Sequence, residues 1–362
     1  MSELKSLLNP RSVAVVGASD QSGTGKVILD NLRMSGFSGS IFPVNPKYDL
    51  VSNLPCYPDL SKIPYPADLA VLAIPAEAAV PVFRKIPLGQ VRSAILLSSG
   101  FREAGPTGEA FEVEVAEIAK DLGIRLCGPN CLGLINVHGG LAAFSASLQK
   151  MPRAGGIGAI AQSGTISIGW INARSDLGFS HIISVGNEAD VTCGEYIRYL
   201  VDDPNTNCIA LFLEGVRSPE VFLSALEAAQ TKGKPVVVLK AGQSKMGKRA
   251  SLAHTGSLAG SDRVCKGLFK QKGVIQVSDL EEQLATLGFI SQKRFPRGNG
   301  LGVATISGGQ CALVCDFAEN IGLELPELSS LTASRLSTIL PDFGTAANPL
   351  DITGVGVYHE NL

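Results

Sequence analysis

Charged and aromatic residues are both scarce in this sequence. Of its 362 residues, 18% are charged and 6% are aromatic, whereas 45% are hydrophobic. A disordered chain has the opposite balance, so the composition excludes disorder. The 31 lysines and arginines nearly cancel the 33 aspartates and glutamates, which leaves a net charge of −2. We therefore expect no nucleic-acid partner, because a protein that grips a phosphate backbone needs a basic excess.

Long hydrophobic runs are missing as well. The most apolar long stretch, residues 67–83, is interrupted by Asp68, Glu77 and two prolines. It is too short and too broken to span a bilayer. The first eleven residues lack the apolar segment of a signal peptide. The sequence therefore predicts a cytoplasmic protein that has no membrane partner.

The cysteines form no recognisable disulfide or metal pattern. Cys127 and Cys131 are four residues apart, as are Cys311 and Cys315, but neither pair has the second pair that a zinc site needs. We expect no metal site. We interpret the eight thiols as small buried apolar groups in a reducing compartment.

Short apolar strands alternate with helical segments along most of the chain. This alternation, with many small and branched residues and 40 glycines, predicts an α/β fold with parallel sheets. Predicted helices cover residues 26–35 and 109–122, and a third runs from Ser163-Gly164 to 175. The predicted strands are 12–16, 40–44, 69–74, 94–97, 124–127, 157–161, 182–185, 208–213, 235–240 and 274–277.

Two segments with the composition of linkers, 149–156 and 292–300, divide the chain into three predicted domains, 1–145, 150–295 and 299–362. Residues 158–179 align without a gap with residues 302–323. In both copies Ser-Gly follows a strand, and the predicted helix ends at a glycine, Gly178 or Gly322. We therefore expect the third domain to be the truncated start of a second copy of the second domain.

A glycine-rich turn, residues 17–25, follows the first predicted strand. Glycines at such a turn let backbone N–H groups meet a phosphate at a helix N-terminus. The second strand is followed by Asn45, Pro46 and Lys47, where an NAD-binding domain would carry an acidic residue. This favours a phosphorylated nucleotide over NAD. The alternative is a turn that is only structural.

Other strand-end loops should share one crevice with this turn, because ligands of open α/β sheets bind outside the carboxyl ends of the strands. These loops are 74–76, 98–101 and 128–133.

His254 lies in a loop, 245–260, that is rich in Gly, Ser, Lys and Arg. An imidazole can attack a phosphoryl group near neutral pH. The predicted helix start at Ser163, Gly164 and Thr165 would hold the phosphoryl oxygens. Glu214, at the end of strand 208–213, would accept the other ring N–H. The alternatives are a solvated loop histidine and a surface carboxylate. Three other histidines, at positions 138, 181 and 359, are interpreted as structural or solvated, and Trp170 as a core residue.

Six motifs together resemble the ADP-forming acyl-CoA synthetases of the acetate–CoA ligase type, and more distantly the α subunit of succinyl-CoA synthetase. The resemblance covers residues 8–362. It implies a Rossmann-like CoA-binding domain followed by flavodoxin-like succinyl-CoA ligase domains. The motifs are GAS at 17–19, VNPK at 44–47, GPNCLG at 128–133, AQSGT at 161–165, LEG at 213–215 and SLAHTGSLAG at 251–260.

The resemblance implies the reaction acid + CoA + ATP ⇌ acyl-CoA + ADP + phosphate, through an acyl phosphate and a phosphohistidine. His254 matches the phosphorylated histidine and Glu214 the acid that supports it, while Ser163, Gly164, Thr165 and Gly256 match the phosphate site. The CoA site implied in the same way consists of Gly17, Ala18, Ser19, Gly25, Asn45, Pro46, Lys47, Ile74, Pro75, Ala76, Ser99, Gly100 and Asn130.

The family also implies a partner. ATP or ADP with Mg²⁺ would bind to an ATP-grasp domain or β subunit that this sequence does not contain, in a homo- or hetero-oligomer. The chain alone should therefore not complete the cycle with ATP. The second substrate is a small carboxylic acid, with short aliphatic and aryl acids both open.

Three other functions stay open. One is a module that senses CoA or acyl-CoA, or accompanies an acyltransferase, without turnover of its own. The intact motif around His254 argues against it. The others are an NAD(P) oxidoreductase, against which the missing acidic residue argues, and a pure scaffold.

Overall fold

The computed structural model describes residues 4–173, 176–244, 246–247, 262–294, 296–342 and 344–353. The chain forms two compact units, residues 1–293 and 294–362. The first two predicted domains therefore lie in one unit. The second unit begins five residues before the predicted start of the third domain.

The first sheet has five parallel strands in the order β2-β1-β5-β6-β7. The chain runs outward from β1 to β2 and then returns to β5, so the direction of progression reverses between β1 and β5. Ligands of such sheets bind at this switch point. The strands are β1 (Ser12–Val16), β2 (Ser40–Val44), β5 (Ala67–Leu72), β6 (Val91–Leu96) and β7 (Arg125–Cys127), with a small hairpin of β3 (Leu50–Val51) and β4 (Leu54–Pro55). The α-helices are α1 (Lys5–Leu8), α2 (Thr24–Met34), α3 (Ala76–Phe83) and α4 (Pro106–Asp121).

The second sheet has seven strands in the order β14-β13-β12-β10-β11-β8-β9. Its first five strands in that order are parallel, and β8 and β9 add an antiparallel hairpin at one edge. The strands are β8 (Gly133–Asn136), β9 (Leu141–Phe144), β10 (Ala154–Ala161), β11 (Phe179–Ser184), β12 (Cys208–Leu213), β13 (Val236–Lys240) and β14 (Ile275–Val277). The helices are α5 (Gly164–Ala173), α6 (Cys193–Asp202), α7 (Pro219–Thr231), α8 (Asp262–Gln271) and α9 (Leu280–Ser291).

The central strands are buried on both faces, as expected for parallel strands covered by helices. Trp170 of α5 is fully buried, which confirms its prediction as a core residue. Its indole N–H donates to Oε1 of Gln283 at 3.0 Å, and Gln283 in turn donates to the carbonyl oxygens of Leu211 and Val237. This amide satisfies the one polar group that the indole brings into the core.

Strands 12–16, 40–44 and 208–213 have the predicted bounds, and the other predicted strands shift by a few residues. The predicted boundary near residue 145 does not separate the two sheets. β8 pairs with β11, placing Ile135 opposite Ile182, and Ile135 and Phe144 pack in the same hydrophobic cluster as Trp170. Residues 133–144 therefore belong to the second sheet by their hydrogen bonds.

The predicted linker 149–156 also ends in regular structure, because β10 begins at Ala154. Gly155 lies so close to Gly178 that a Cβ atom added to it would stand 2.5 Å from the carbonyl carbon of Gly178. Gly155, one of the glycines that suggest a linker, is thus required by close packing against a neighbouring chain segment.

In the second unit, β15 (Ala304–Thr305) pairs in parallel with β16 (Leu350–Asp351), and the helices are α10 (Gly308–Ile321) and α11 (Ser330–Ser337). The internal repeat is visible in the structure, since α5 and α10 begin at the aligned residues Gly164 and Gly308. α10 ends at Gly322, as predicted, in the left-handed conformation with φ +67°. α5 extends to Ala173, and residues 174–175 lie outside the described residues.

All eight cysteines are free thiols, but only half of them are buried: Cys127, Cys131, Cys193 and Cys208. The expectation of uniformly buried thiols is therefore wrong for Cys56, Cys265, Cys311 and Cys315. In the described part of the chain, none of the helices combines the length and the apolar character that crossing a bilayer requires.

Candidate functional site

A cleft lies at the carboxyl edge of the first sheet, at the switch point between β1 and β5. It encloses about 470 Å³. Two lysines, Lys47 and Lys85, and one aspartate, Asp59, contribute to its lining, so its charged residues give the cleft a net charge of +1. Five of the residues predicted to bind CoA line it: Gly17, Asn45, Pro46, Lys47 and Ile74.

The glycine-rich turn that follows β1, residues 17–25, is tightly packed. Gly17 has φ +86°, and an added Cβ atom would lie 2.4 Å from the carbonyl oxygen of Ala73. A Cβ atom on Gly25 would lie 2.1 Å from the carbonyl oxygen of Gly17. The two glycines therefore bring the first turn of α2 against the end of β1. The N–H groups of that first turn have no acceptors within the helix and can receive an anion.

Several predicted CoA residues are engaged in holding the cleft together. Nδ2 of Asn45 donates to the carbonyl oxygen of Ala18 at 2.8 Å, and Oδ1 of Asn45 accepts from the backbone N–H of Lys47 at 3.0 Å. This joins the loops after β1 and β2. Ala18 and Ala76 are buried as whole residues, with 0% and 4% of each exposed, so their methyl groups are not available to a ligand.

The remaining predicted CoA residues lie along the same edge. The loop after β6 abuts the start of α3, since a Cβ atom on Gly100 would stand 3.2 Å from that of Ala76. The backbone N–H of Asn130 donates to the carbonyl oxygen of Ser98 at 2.9 Å, which joins the loops after β6 and β7. Ser99 and Pro75 are exposed between them, and Ser19 is half-buried. The structure thus brings together the loops that were predicted to share one crevice because they follow the carboxyl ends of parallel strands.

The carboxyl edge of the second sheet carries the predicted phosphate residues. α5 begins at Gly164, with Ser163 half-buried before it and Thr165 exposed on its first turn. Glu214 follows β12, as predicted. Oε1 of Gln162 accepts from the backbone N–H groups of Glu214 and Gly215, at 3.0 Å for Gly215, and Nε2 donates to the carbonyl oxygen of Gly215 at 2.8 Å. Gln162 thereby fixes the Glu214 loop beside the start of α5.

Lys240 at the end of β13 is a further residue of this edge, and sequence reasoning missed it. Only 6% of the residue is exposed, and Nζ donates to the carbonyl oxygens of Glu214, at 2.7 Å, and Ala241. A lysine that ends a valine-rich strand is a signal that could have found it, because a buried ammonium requires acceptors nearby.

Glu188, in the loop after β11, is also absent from the predicted site. It has φ +54°, and its carboxylate accepts from Nε2 of Gln162 at 2.6 Å and from the backbone N–H and thiol of Cys193 at 3.1 and 2.9 Å. Burial raises the pKa of Glu188, and the hydrogen bonds from Cys193 and Gln162 oppose this increase.

The loop after β11 also connects the two sheets. The backbone N–H groups of Asn187 and Ala189 donate to the carbonyl oxygens of Pro129 and Gly128, both at 2.9 Å. A Cβ atom on Gly186 would lie 2.1 Å from the carbonyl oxygen of Pro129, so only glycine fits there. The carboxyl edges of the two sheets therefore meet, and the predicted CoA and phosphate loops are neighbours. The predicted residues His254 and Gly256 lie outside the described residues.

Two family models match the chain. A CoA-binding domain model matches residues 11–137, and the model of the succinyl-CoA ligase-like flavodoxin domain matches residues 154–290. The α subunit of ADP-forming acetate–CoA ligase II from Pyrococcus furiosus is 34% identical over 347 residues, which cover 95% of this chain and 75% of the relative. This chain belongs to the family of ADP-forming acetate–CoA ligase α subunits. The resemblance of the motifs and the fold class, a Rossmann-like CoA-binding domain followed by a flavodoxin-like ligase domain, are confirmed.

Other ligases of the family are longer than this chain. The ADP-forming acetate–CoA ligase of Methanocaldococcus jannaschii is 35% identical over 359 residues, which cover 97% of this chain and 49% of that protein. This chain spans about half the length of the curated relatives that it matches first. The acetyl-coenzyme A synthetase 1 of Ca. Korarchaeum cryptofilum, solved in complex with phosphate and ADP, superposes with a TM-score of 0.88 at 32% identity, covering 98% of this chain and 76% of that one.

Proposed function

We propose that this chain is the CoA-binding and ligase part of an acyl-CoA synthetase that forms ADP, and that it catalyses acid + CoA + ATP ⇌ acyl-CoA + ADP + phosphate with a partner. The observation that carries the proposal is the meeting of two carboxyl edges. One edge holds the glycine turn and lysine-bordered cleft of a CoA-binding domain, and the other holds a helix N-terminus beside Glu214. A sensor or a scaffold would not need the second edge.

CoA would bind along the first edge as a substrate. The first turn of α2 offers backbone N–H groups to its phosphates, and Lys47 offers a positive charge. The residues that we assign to CoA are those predicted from the sequence. The loops at 74–76, 99–100 and 130 continue from the cleft toward the second sheet, where the thiol end must react.

The phosphoryl chemistry would take place at the second edge. The steps are described in the direction of ATP formation, from acyl-CoA. Phosphate attacks the carbonyl carbon of the thioester, so that a C–O bond forms, the C–S bond breaks and CoA leaves as a thiolate. A ring nitrogen of His254 then attacks the phosphorus of the acyl phosphate, and the carboxylate leaves as the P–O bond breaks. Glu214 accepts the other ring N–H. Ser163, Gly164, Thr165 and Gly256 hold the phosphoryl oxygens, because positioning and charge stabilisation dominate phosphoryl transfer.

The phosphohistidine must finally deliver its phosphoryl group to ADP. We assign ADP, ATP and Mg²⁺ to an ATP-grasp partner, either a β subunit or another part of a longer chain, in a homo- or hetero-oligomer. The length of the relatives supports this division. The carboxylic acid is small, and a cytoplasmic location fits the supply of CoA and ATP.

Turnover with an ATP-grasp subunit from a relative tests this function. We expect ADP and acyl-CoA to form together when CoA, ATP and one of a panel of short aliphatic and aryl acids are supplied. When the γ-phosphate of ATP is radiolabelled, we expect the label to be recovered on His254. The variant His254→Ala should bind CoA but carry no label. Turnover retained by that variant would contradict the phosphohistidine, and CoA binding without any turnover across the panel would favour a sensing module.

A further inference from the structure

Two adjacent residues of the loop after β11 contact the loops of both predicted sites. Asn187 and Glu188 are buried, with 6% and 5% of each residue exposed. The left-handed backbone of Glu188 lets the two side chains leave the loop in different directions. Asn187 contacts the first sheet, and Glu188 contacts Gln162 at the end of β10.

The side chain of Asn187 is bound at both of its polar atoms. Nδ2 donates to Oε2 of Glu103 at 2.7 Å and to Oε2 of Glu112 at 2.8 Å. Oδ1 accepts from Nδ2 of Asn130 at 3.3 Å. Glu112 is almost fully buried and also pairs with the guanidinium of Arg102. An amide from the loop after β11 thus supplies donors to two carboxylates beside the first sheet, the half-buried Glu103 and the buried Glu112.

Glu103 transmits this contact to the CoA loop. Its other oxygen, Oε1, accepts from the backbone N–H groups of Gly100 at 2.7 Å and Phe101 at 3.2 Å. Burial tends to raise the pKa of Glu103, but the hydrogen bonds from Asn187 and from backbone N–H groups outweigh it and hold the pKa below its ordinary value. The carboxylate is therefore charged at neutral pH, and it keeps the turn at Ser99 and Gly100 in shape only while its donors are present.

Glu188 contacts the predicted phosphate site in a similar way, through Gln162. It accepts from Nε2 of Gln162 at 2.6 Å, and Gln162 binds the backbone of Glu214 and Gly215. Cys193 donates twice to the same carboxylate, which fixes its position. A displacement of the Asn187–Glu188 dipeptide would consequently move both the Gly100 turn and the Glu214 loop.

We propose that Asn187 is a positioning residue for CoA, supplied by the ligase sheet to the CoA-binding sheet, and that Glu188 positions the phosphate loop through Gln162. The juxtaposition of Asn187 with Glu103 and Asn130, and of Glu188 with Gln162, carries this inference. It rests on the proposed function, which states what the two loops bind. Neither residue is assigned a contact with a substrate. Each acts through the loop that it holds.

Calorimetric titration of the chain with CoA tests the first half. Asn187→Ala should weaken CoA binding roughly tenfold or more, because a small misplacement of binding groups is costly. Asn136→Ala is the matched control. Asn136 is equally buried, donates to the carbonyl oxygen of Leu8 at 2.9 Å and accepts from the backbone N–H of Gly139 at 2.8 Å, away from both edges. It should lower the melting temperature but change CoA affinity less than about twofold, since it leaves the cleft intact.

The variant Glu103→Gln keeps the size of the side chain. It tests the same contact between Asn187 and Glu103 if Asn187→Ala does not fold. It should also weaken CoA binding, because its amide would turn a donor toward Nδ2 of Asn187. CoA affinities of Asn187→Ala and Glu103→Gln equal to that of Asn136→Ala would overturn the inference. A wild-type chain that does not bind CoA would instead contradict the proposed function itself.

Steady-state kinetics with the ATP-grasp partner, run toward ATP formation, test the second half. Asn187→Ala should raise KM for acyl-CoA and leave KM for phosphate nearly unchanged. Glu188→Ala should do the reverse, and Glu188→Gln, which keeps an acceptor for Gln162, should restore KM for phosphate. Equal increases of both KM values in both alanine variants would show that the dipeptide is merely structural and would refute the proposal.

Discussion

Nζ of Lys240 donates to the carbonyl oxygen of Glu214 at 2.7 Å, so a buried charge on β13 holds the backbone of the predicted catalytic residue directly after β12. Lys234 makes the same kind of contact at the start of the β13 segment, where Nζ donates to the carbonyl oxygens of Leu200 and Asp203 at 3.0 and 2.6 Å. The two lysines are matched in the kind of acceptor that they bind, although Lys234 is only half-buried, and only Lys240 lies at the site.

Replacing each lysine by methionine separates stability from function. Lys240→Met should lose roughly 1.5–3 kcal/mol of unfolding free energy, the usual contribution of hydrogen bonds that involve a charged group, and Lys234→Met should lose less because Lys234 is half-buried. Only Lys240→Met should reduce labelling of His254, by roughly tenfold or more, because Glu214 would no longer be held in place. Denaturant unfolding and phosphate labelling measure the two effects. Equal labelling in both variants would argue against a role for Lys240 at the site.

His181 should make the fold sensitive to acid. Its Nδ1 lies 3.6 Å from a carboxylate oxygen of Asp203, yet burial outweighs this attraction and lowers the pKa of His181 to about 4. The contact is therefore not an ion pair at neutral pH. The unfolded chain takes up the proton near pH 6.5, so between pH 6.5 and about 4 the unfolded state binds more protons and stability falls as the pH falls.

Because of His181, the free energy of unfolding should fall by roughly 2 kcal/mol between pH 7 and pH 5. The total decrease should reach roughly 3 kcal/mol at lower pH. Urea unfolding at the two pH values measures the difference. His181→Phe should lose this part of the pH dependence, whereas His138→Gln should keep it because His181 is intact. An unchanged pH dependence in His181→Phe would show that another group is responsible.

Alanine substitutions at Gly17 and Gly89 distinguish a steric clash at the CoA cleft from backbone strain alone. Both have positive φ, +86° and +78°, but a Cβ atom on Gly17 would clash with Ala73, whereas nothing lies within 4 Å of one on Gly89. Gly89→Ala should cost about 1 kcal/mol of strain. Gly17→Ala should cost more and should abolish CoA binding, because the β1–α2 turn must move. Comparable stability and CoA affinity in the two variants would contradict the packing argument.

Lys47 should contribute electrostatically to CoA binding. Its side chain is exposed and lines the cleft, so Lys47→Ala should weaken CoA binding and reduce its dependence on salt. Lys62 ends a short 3-10 helix, Leu60–Lys62, whose first residue lines the cleft. Lys62 itself does not belong to the lining and provides the control Lys62→Ala. An equal loss of affinity in both variants would indicate a general effect of charge rather than contact at Lys47.

The sequence predicts the parallel sheets well because their strands are short apolar runs that end at glycine, proline or serine. It does not place the hairpin 133–144, since both of its strands are buried on both faces and only the long-range pairing of Ile135 with Ile182 decides which sheet they join. The strand-end rule selects the loops of the cleft correctly, because parallel strands bring their carboxyl ends to one edge.

The polar contacts between the two edges are beyond sequence reasoning of this kind. Asn187 contacts Glu103 and Glu112, which precede it by 84 and 75 residues, and no local spacing relates them. Gln162 lies inside the motif AQSGT at 161–165, but nothing in that motif predicts its contacts with Glu188 and Gly215. Glu188 lies outside all six motifs. Ala18 and Ala76 show the converse, since both fall in the predicted loops while their methyl groups belong to the core.

Parallel calorimetric titrations of the chain with CoA and with NAD(P) test the central claim most directly. The cleft at the β1–β5 switch point, bordered by Lys47 and followed by loops that lead to Glu214, predicts micromolar binding of CoA and no binding of NAD(P). Binding of NAD(P) without binding of CoA would contradict the claim and every role assigned to His254.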